Sequence, residues 1–166
     1  MPVKAALSED EYLRTSFPGA DREFRDGEIL ERSMPGYGHS KAAMNLGGFF
    51  WRLKTVLPVF VAPELRLKLG PGRYRIPDVS VFWPDEPSQS VPDRAPLIAI
   101  EVLSPDDSFS EVAAKLAEYW NWGVRHVWLA DPDARALYTF DGALRQVDRF
   151  DVSELGLTIG PPGIFD

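Results

Sequence analysis

Apolar positions fall at Ala43, Leu46, Phe50, Leu53 and Leu57 across Tyr37 to Leu57, which is helical spacing and predicts one long helix. A second helical stretch opens at Ser108, with Glu111 three residues on as its capping partner. Its stripe reads Ala113, Leu116, Ala117 and Trp120, and Gly123 terminates it. A short helix is predicted from Ser8-Glu9-Asp10-Glu11 to about Thr15 on the same capping logic. Strand patterns fill the rest. Arg22 to Arg32 predicts a hairpin turning at Asp26-Gly27. Val59 to Leu69 and Arg73 to Trp83 predict two strands about the Gly70-Pro71-Gly72 turn. Leu97 to Leu103 is an almost unbroken apolar run, as expected of a strand covered on both faces. Val124 to Ala130, Ala136 to Phe140 and Leu144 to Phe150 predict three more strands. Proline-rich Trp83 to Pro96 predicts an irregular surface loop. The mixed order gives an α/β (α+β) expectation: a central mixed sheet with helices packed on it.

Two carboxylates break this apolar pattern. Asp78 lies in Ile76-Pro77-Asp78-Val79-Ser80, and Glu101 is the one charged member of the Leu97 to Leu103 run. A buried carboxylate needs a cation or takes up a proton. A structural salt bridge or a strand end in water accounts for either residue alone. The pair, from neighbouring strands, suits Mg²⁺, which takes one or two carboxylates and keeps several waters. Lys115 lies on the helix that follows Glu101. It either pairs with Glu111 one turn earlier on the surface or points back over the sheet, where an ammonium can position a water and stabilise charge on phosphorus. His39, near the start of the long helix, is either a solvated or capping residue or a contact to phosphate or metal. Glu23 and Glu28 on the hairpin read as surface, or as further members of the acidic site. His126 reads as core or sheet edge, and the five tryptophans as core before base-stacking platform.

Composition narrows the chemistry. The 166 residues predict one domain. The absence of cysteine excludes disulfides, thiolate metal sites and cysteine nucleophiles. No paired-histidine zinc motif, serine-nucleophile elbow or phosphate-binding P-loop is present. The N-terminal residues do not read as a signal peptide, and no apolar stretch reaches the roughly 18 residues of a membrane span, so a cytoplasmic location is expected. The net charge of −7 argues against tight nonspecific binding to nucleic acid, though it leaves room for a carboxylate cluster whose bound cation reverses the local sign.

Taken in order, Ile76-Pro77-Asp78-Val79-Ser80, Ile100-Glu101-Val102-Leu103-Ser104-Pro105, Lys115, Tyr119-Trp120, Gly123-Val124 and Val127-Trp128-Leu129-Ala130-Asp131-Pro132, with Phe24-Arg25-Asp26-Gly27-Glu28 and His39, the chain resembles the bacterial family of putative restriction endonucleases of the PD-(D/E)XK nuclease superfamily. The resemblance covers roughly Tyr12 to Phe150. It implies a restriction-endonuclease-like core with a mixed four- or five-stranded sheet, Asp78 and Glu101 as metal ligands, and Mg²⁺ (or Mn²⁺) as cofactor. The superfamily pattern has a lysine two residues after the glutamate, and here that position is Leu103. The family resembled carries it on the following helix, which implies Lys115 as the third catalytic residue; Glu23 is implied as a further acidic member. The activity implied is hydrolysis of DNA phosphodiester bonds, by a protein that often works as a homodimer. A noncatalytic interaction protein that keeps the fold is the alternative, and the acidic charge and displaced lysine speak for it. Arg66, Lys68, Arg73 and Arg75 are the candidate basic walls of a cleft, and Leu137 to Phe150 a candidate edge for a second subunit.

Overall fold

A computed structural model describes residues 6–166. The elements run α1 (Glu9–Arg14), β1 (Glu23–Arg25), β2 (Glu28–Leu30), α2 (Tyr37–Leu53), β3 (Phe60–Pro63), β4 (Leu67–Gly70), β5 (Arg73–Arg75), β6 (Val79–Phe82), β7 (Ile98–Val102), α3 (Phe109–Trp122), β8 (His126–Asp131), β9 (Ala136–Phe140), β10 (Leu144–Val147), β11 (Phe150–Val152), β12 (Leu157–Ile159) and α4 (Pro161–Phe165).

The central sheet has six strands in the order β10-β9-β8-β7-β6-β3, one more than the resemblance implies. Only β7 and β8 are parallel; their crossover is α3, because parallel neighbours need a long connection. Alternation along β7 sends Ile98, Ile100 and Val102 to one face, where they pack with Leu46 and Phe50 of α2 and with Trp128. The other face carries Ala99, which packs with Leu116 and Tyr119 of α3. Glu101 belongs to this α3 face by the same period of two.

Two expected long strands are each cut in half. Val59 to Leu69 becomes β3 and β4, separated at Pro63-Glu64, where Glu64 takes φ 48°. Arg73 to Trp83 becomes β5 and β6, separated at Ile76-Pro77-Asp78, because Pro77 has no N–H to continue a ladder. The halves serve different sheets. β4 and β5 join the hairpin in a four-stranded sheet, β2-β1-β5-β4, while β3 and β6 stay in the central one. Asp78 therefore sits at the seam between two sheets, not inside a strand.

Other expectations are met with adjustments. α1 keeps its full capping box at Ser8 and Glu11. The hairpin pairs Phe24 with Ile29 about Asp26-Gly27. α2 stops at Leu53, four residues early, as the chain turns before Pro58. α3 begins at Ser108, whose hydroxyl accepts from the Glu111 N–H, and ends at Gly123 with φ 112°. Its buried side is rotated from the expected stripe: Leu116 and Tyr119 are buried while Trp120 is exposed. That rotation is what turns Lys115 inward. Past β10 the chain forms β11, β12 and α4. There Phe150 stacks on Trp128 at 4.2 Å, and α4 caps the α2 side of the core, with Asn45 Nδ2 donating to the Ile164 carbonyl at 2.9 Å. No helix among the described residues is long and apolar enough to cross a membrane.

Candidate active site

The register of β6 on β7 pairs Val79 with Ile100, so one step further Asp78 lies across from Glu101. Glu101 looks toward α3, while Asp78, just beyond the end of the ladder, faces Arg32 and His39 of α2. β7 also holds Asp78 through its backbone: the Val102 N–H donates to Asp78 Oδ2 at 2.7 Å. The first turns of α3 lie above the Glu101 face. Lys115 Nζ reaches Glu101 Oε1 at 2.8 Å and Glu23 Oε1 at 2.7 Å, and donates to the Ile76 carbonyl at 3.3 Å. The surface pairing of Lys115 with Glu111 does not form.

Glu23, on β1, brings the second sheet into the site. It accepts from the Ile76 N–H at 2.8 Å and from Arg75 Nη1 at 2.9 Å. Arg75 in turn holds Glu118 of α3 in a two-pronged pair, 2.8 Å at each prong. Glu28, the other hairpin candidate, stays exposed beside Arg25. His39 sits on the first turn of α2, where its Nε2 is 3.2 Å from Asp78 Oδ2. Its Nδ1 is buried without a hydrogen-bond partner.

Two further contacts come from residues that were not among the expected site residues. Arg32 follows the hairpin in irregular chain, and its Nη2 donates to Asp78 Oδ1 at 3.2 Å. Tyr119 donates its hydroxyl to Glu101 Oε1 at 2.8 Å. Tyr119 is one turn beyond Lys115, so the pair was findable as a shared helix face once Lys115 is known to point inward.

Glu23, Arg32, His39, Asp78, Glu101 and Lys115 line a cavity of about 400 Å³. Its walls are mixed in charge: Arg25, Arg32 and Arg75 against Glu31, Asp107, Glu111 and Glu118. Of the expected basic walls only Arg75 is there. Arg66 is tied to Asp21 and to the Tyr12 and Thr15 carbonyls, and Lys68 pairs with Glu9, both away from the cavity.

Burial opposes charge on every one of these groups, and the outcome depends on partners. Asp78 is held below the usual carboxylate range, because the His39 hydrogen bond and charge, Lys115 and the Val102 N–H outweigh desolvation. Glu23 is held low in the same way by Lys115 and Arg75. Glu101 goes the other way, pushed up to about 7 by burial, with Lys115 only partly compensating and Asp78 and Glu23 adding repulsion. Lys115 stays protonated, its raised value set by Glu101, Glu23 and Asp78 against desolvation. For His39, burial lowers and Asp78 raises, and Asp78 wins.

The donor set fits a hard divalent cation. Glu101 is a carboxylate short of positive charge, and its Oε2 has no hydrogen-bond partner among the described residues. Among the described residues no three His, Asp or Glu side chains are grouped to hold a metal. Asp78 and Glu101 are oxygen donors of the kind Mg²⁺ takes together with water, and both Asp78 oxygens are engaged by Arg32, His39 and the Val102 N–H.

Residues 9–159 match the model of a family described as Uma2, putative restriction endonuclease. In three dimensions the chain is similar to the crystal structure of a putative nuclease belonging to DUF820 from Anabaena variabilis. The TM-score is 0.82 at 24% identity, over 96% of this chain and 97% of that one. At that identity the likeness is one of fold. No curated protein matches the chain.

Proposed function

The chain belongs to the Uma2 family of putative restriction endonucleases, and from that premise we propose that it is a Mg²⁺-dependent endonuclease hydrolysing phosphodiester bonds in DNA. One observation carries this reading: Asp78, Glu101 and Lys115, from a strand junction, a strand and a helix, converge on one cavity. Fold alone would not license it.

In this reading Asp78 and Glu101 hold the ion, with Mn²⁺ as a workable substitute. Bound there, the ion supplies Lewis-acid polarisation of the phosphoryl oxygen and a water made acidic enough to attack. The protein groups do the rest. Lys115 shares its one positive charge between Glu101 and Glu23, and the longest of its three contacts, to the Ile76 carbonyl, is the one a water can replace so that the ammonium orients it. Tyr119 fixes the Glu101 carboxylate by holding Oε1 and leaving Oε2 free. Arg32 and His39, which share Asp78 with any incoming cation, are placed to donate to phosphate oxygens once that contact is given up.

The test is nicking of supercoiled plasmid in Mg²⁺ or Mn²⁺. Asp78→Ala and Lys115→Ala should each lose about 10²–10³-fold, the order that removing one preorganised charge partner costs. Loss in Asp78→Ala alone would keep the ion site and demote Lys115. A second reading, a noncatalytic interaction protein, is favoured by one specific observation: in this arrangement both Asp78 oxygens and all three Lys115 donors are already taken by protein partners. Wild-type protein that neither nicks nor binds metal would select it. A homodimer belongs to the enzyme reading, since two strands need two cuts, and the open edge at β10 is where a second copy would pair. Light scattering that finds only an 18.6 kDa species removes that dimer.

A further inference from the structure

Asp78 and His39 also line a second cavity, of about 530 Å³, on the α2 side of the seam. It is built of different material. One wall is the outward face of α2: Ser40, Met44, Gly47, Gly48 and Trp51, spaced to share a face; the opposite wall is Val61 and Pro63 of β3. An outward helix face is ordinarily polar. Here Met44 is 74% and Trp51 54% exposed, so Trp51 is not the core residue its pattern predicts. Glycine inside a helix costs about 0.5–1 kcal/mol relative to alanine. Packing does not demand it at either position: a Cβ on Gly48 would meet nothing within 4 Å, and one on Gly47 only ordinary contact with Val79. The floor between Met44 and Trp51 is thus flat and bare for a reason other than the fold. Lys54 Nζ lies over the Trp51 ring, 3.2 Å from its centre.

The geometry points to this groove as the binding site for an unpaired nucleobase next to the phosphate at Asp78, an inference that rests on the nuclease reading. Four observations select that occupant. The groove shares Asp78 and His39 with the site, so it adjoins the position proposed for the phosphate. Its volume is in the range of small-ligand sites, enough for a base with its sugar. It includes an aromatic ring, Trp51, that carries a cation on one face, and an aromatic ring is the platform on which an unpaired base stacks. Finally, a chain of net charge −7 gains little from backbone electrostatics and needs affinity from the bases. Bases in a duplex have their faces covered, so the substrate class is single-stranded or locally unpaired nucleic acid. A second copy of the chain packed here would cover a wall of the catalytic cavity's entrance at Asp78, which speaks against that occupant.

Fluorescence anisotropy tests this in EDTA and in Ca²⁺, with a labelled mixed-sequence single strand, its duplex and its fully abasic counterpart. Wild type should bind the single strand about tenfold tighter than the abasic strand, within the 1–3 kcal/mol that stacking one base contributes, and tighter than the duplex. Trp51→Ala and Gly48→Leu should erase the margin with melting temperatures unchanged, and Trp51→Phe should keep most of it. Equal binding of base-bearing and abasic strands, no measurable binding of either, or a margin that survives Trp51→Ala overturns the proposal. So does a wild-type dimer that Trp51→Ala converts to an 18.6 kDa monomer. Because no turnover is required, protein that distinguishes bases yet nicks nothing upholds the groove and fails the nuclease reading. Nicking without base discrimination does the reverse.

Discussion

Glu101 is the residue in which stability and proposed function pull apart. It is buried, and it shares its ion-pair partner, Lys115, with Glu23. Its native value of about 7, against an ordinary 4.5, means that the folded protein keeps a proton that the unfolded chain has released. Its contribution to stability is therefore complete below pH 4.5 and is lost as pH rises toward 7. His39, also raised, adds a loss of the same sign as pH climbs past its ordinary 6.5. Asp78 and Glu23 are lowered, so their stabilising contributions are present at neutral pH and disappear as pH falls through their native values. Replacing the titrating carboxyl isolates the Glu101 part. Glu101→Gln should raise the melting temperature of metal-free protein at pH 8, with the advantage over wild type shrinking toward pH 4.5, while abolishing metal-dependent activity. Thermal melts across that pH series in EDTA measure it. If wild type is the more stable at pH 8, Lys115 holds Glu101 fully ionised and the conflict does not exist.

At the scale of elements, the hairpin is the part that delivers Glu23 to the site, and it depends on its turn. Asp26 and Gly27 both take positive φ, 48° and 91°, as a two-residue turn that matches strand twist requires. A Cβ on Gly27 would also stand 2.8 Å from the Ala6 side chain. Gly27→Ala should cost about 1–2 kcal/mol in chemical denaturation and lower activity beyond that, because Glu23 anchors both Lys115 and Arg75. Denaturant curves beside nicking rates check it, and an Ala variant as stable and active as wild type would show the turn to be tolerant. This hairpin was legible because Asp-Gly between alternating residues is a local signal. So were β7 and the capped starts of α1 and α3. What the sequence hid was non-local. Nothing in Arg73 to Trp83 announces that its halves serve two sheets, although Pro77 marks the place. The rotation of α3 that buries Tyr119 and exposes Trp120 depends on what packs beneath it, and Trp51 escaped notice because its helical spacing looks the same whether the facing wall is core or open groove. For the site, two carboxylates in apolar surroundings were conspicuous by themselves. Arg32 was not, because an arginine in irregular chain is ordinary until Asp78 is found beside it.

For the whole molecule, the two sheets, α2 and α3 meet at one point, and that point carries more carboxylate than the nearby cations neutralise comfortably. A chain of net charge −7 with a buried, cation-poor Glu101 should be stabilised by any ion that enters there and binds the unfolded chain poorly. At a hundredfold excess over its dissociation constant a single Mg²⁺ adds about 2.7 kcal/mol to the unfolding free energy. Differential scanning calorimetry in rising MgCl₂ should show a saturable increase in melting temperature, and KCl at equal ionic strength should not reproduce it, since screening of surface charge is not site binding. Asp78→Asn should remove the saturable part while leaving the fold intact, because the asparagine keeps an oxygen for the Val102 N–H. Trp51→Ala should leave it unchanged, because the indole it removes is no ligand for a hard cation. A Mg²⁺ shift that survives Asp78→Asn would place the ion elsewhere on an acidic surface. In that case the convergence of Asp78, Glu101 and Lys115 is a buried ion-pair network that joins two sheets, and the nuclease chemistry loses its metal.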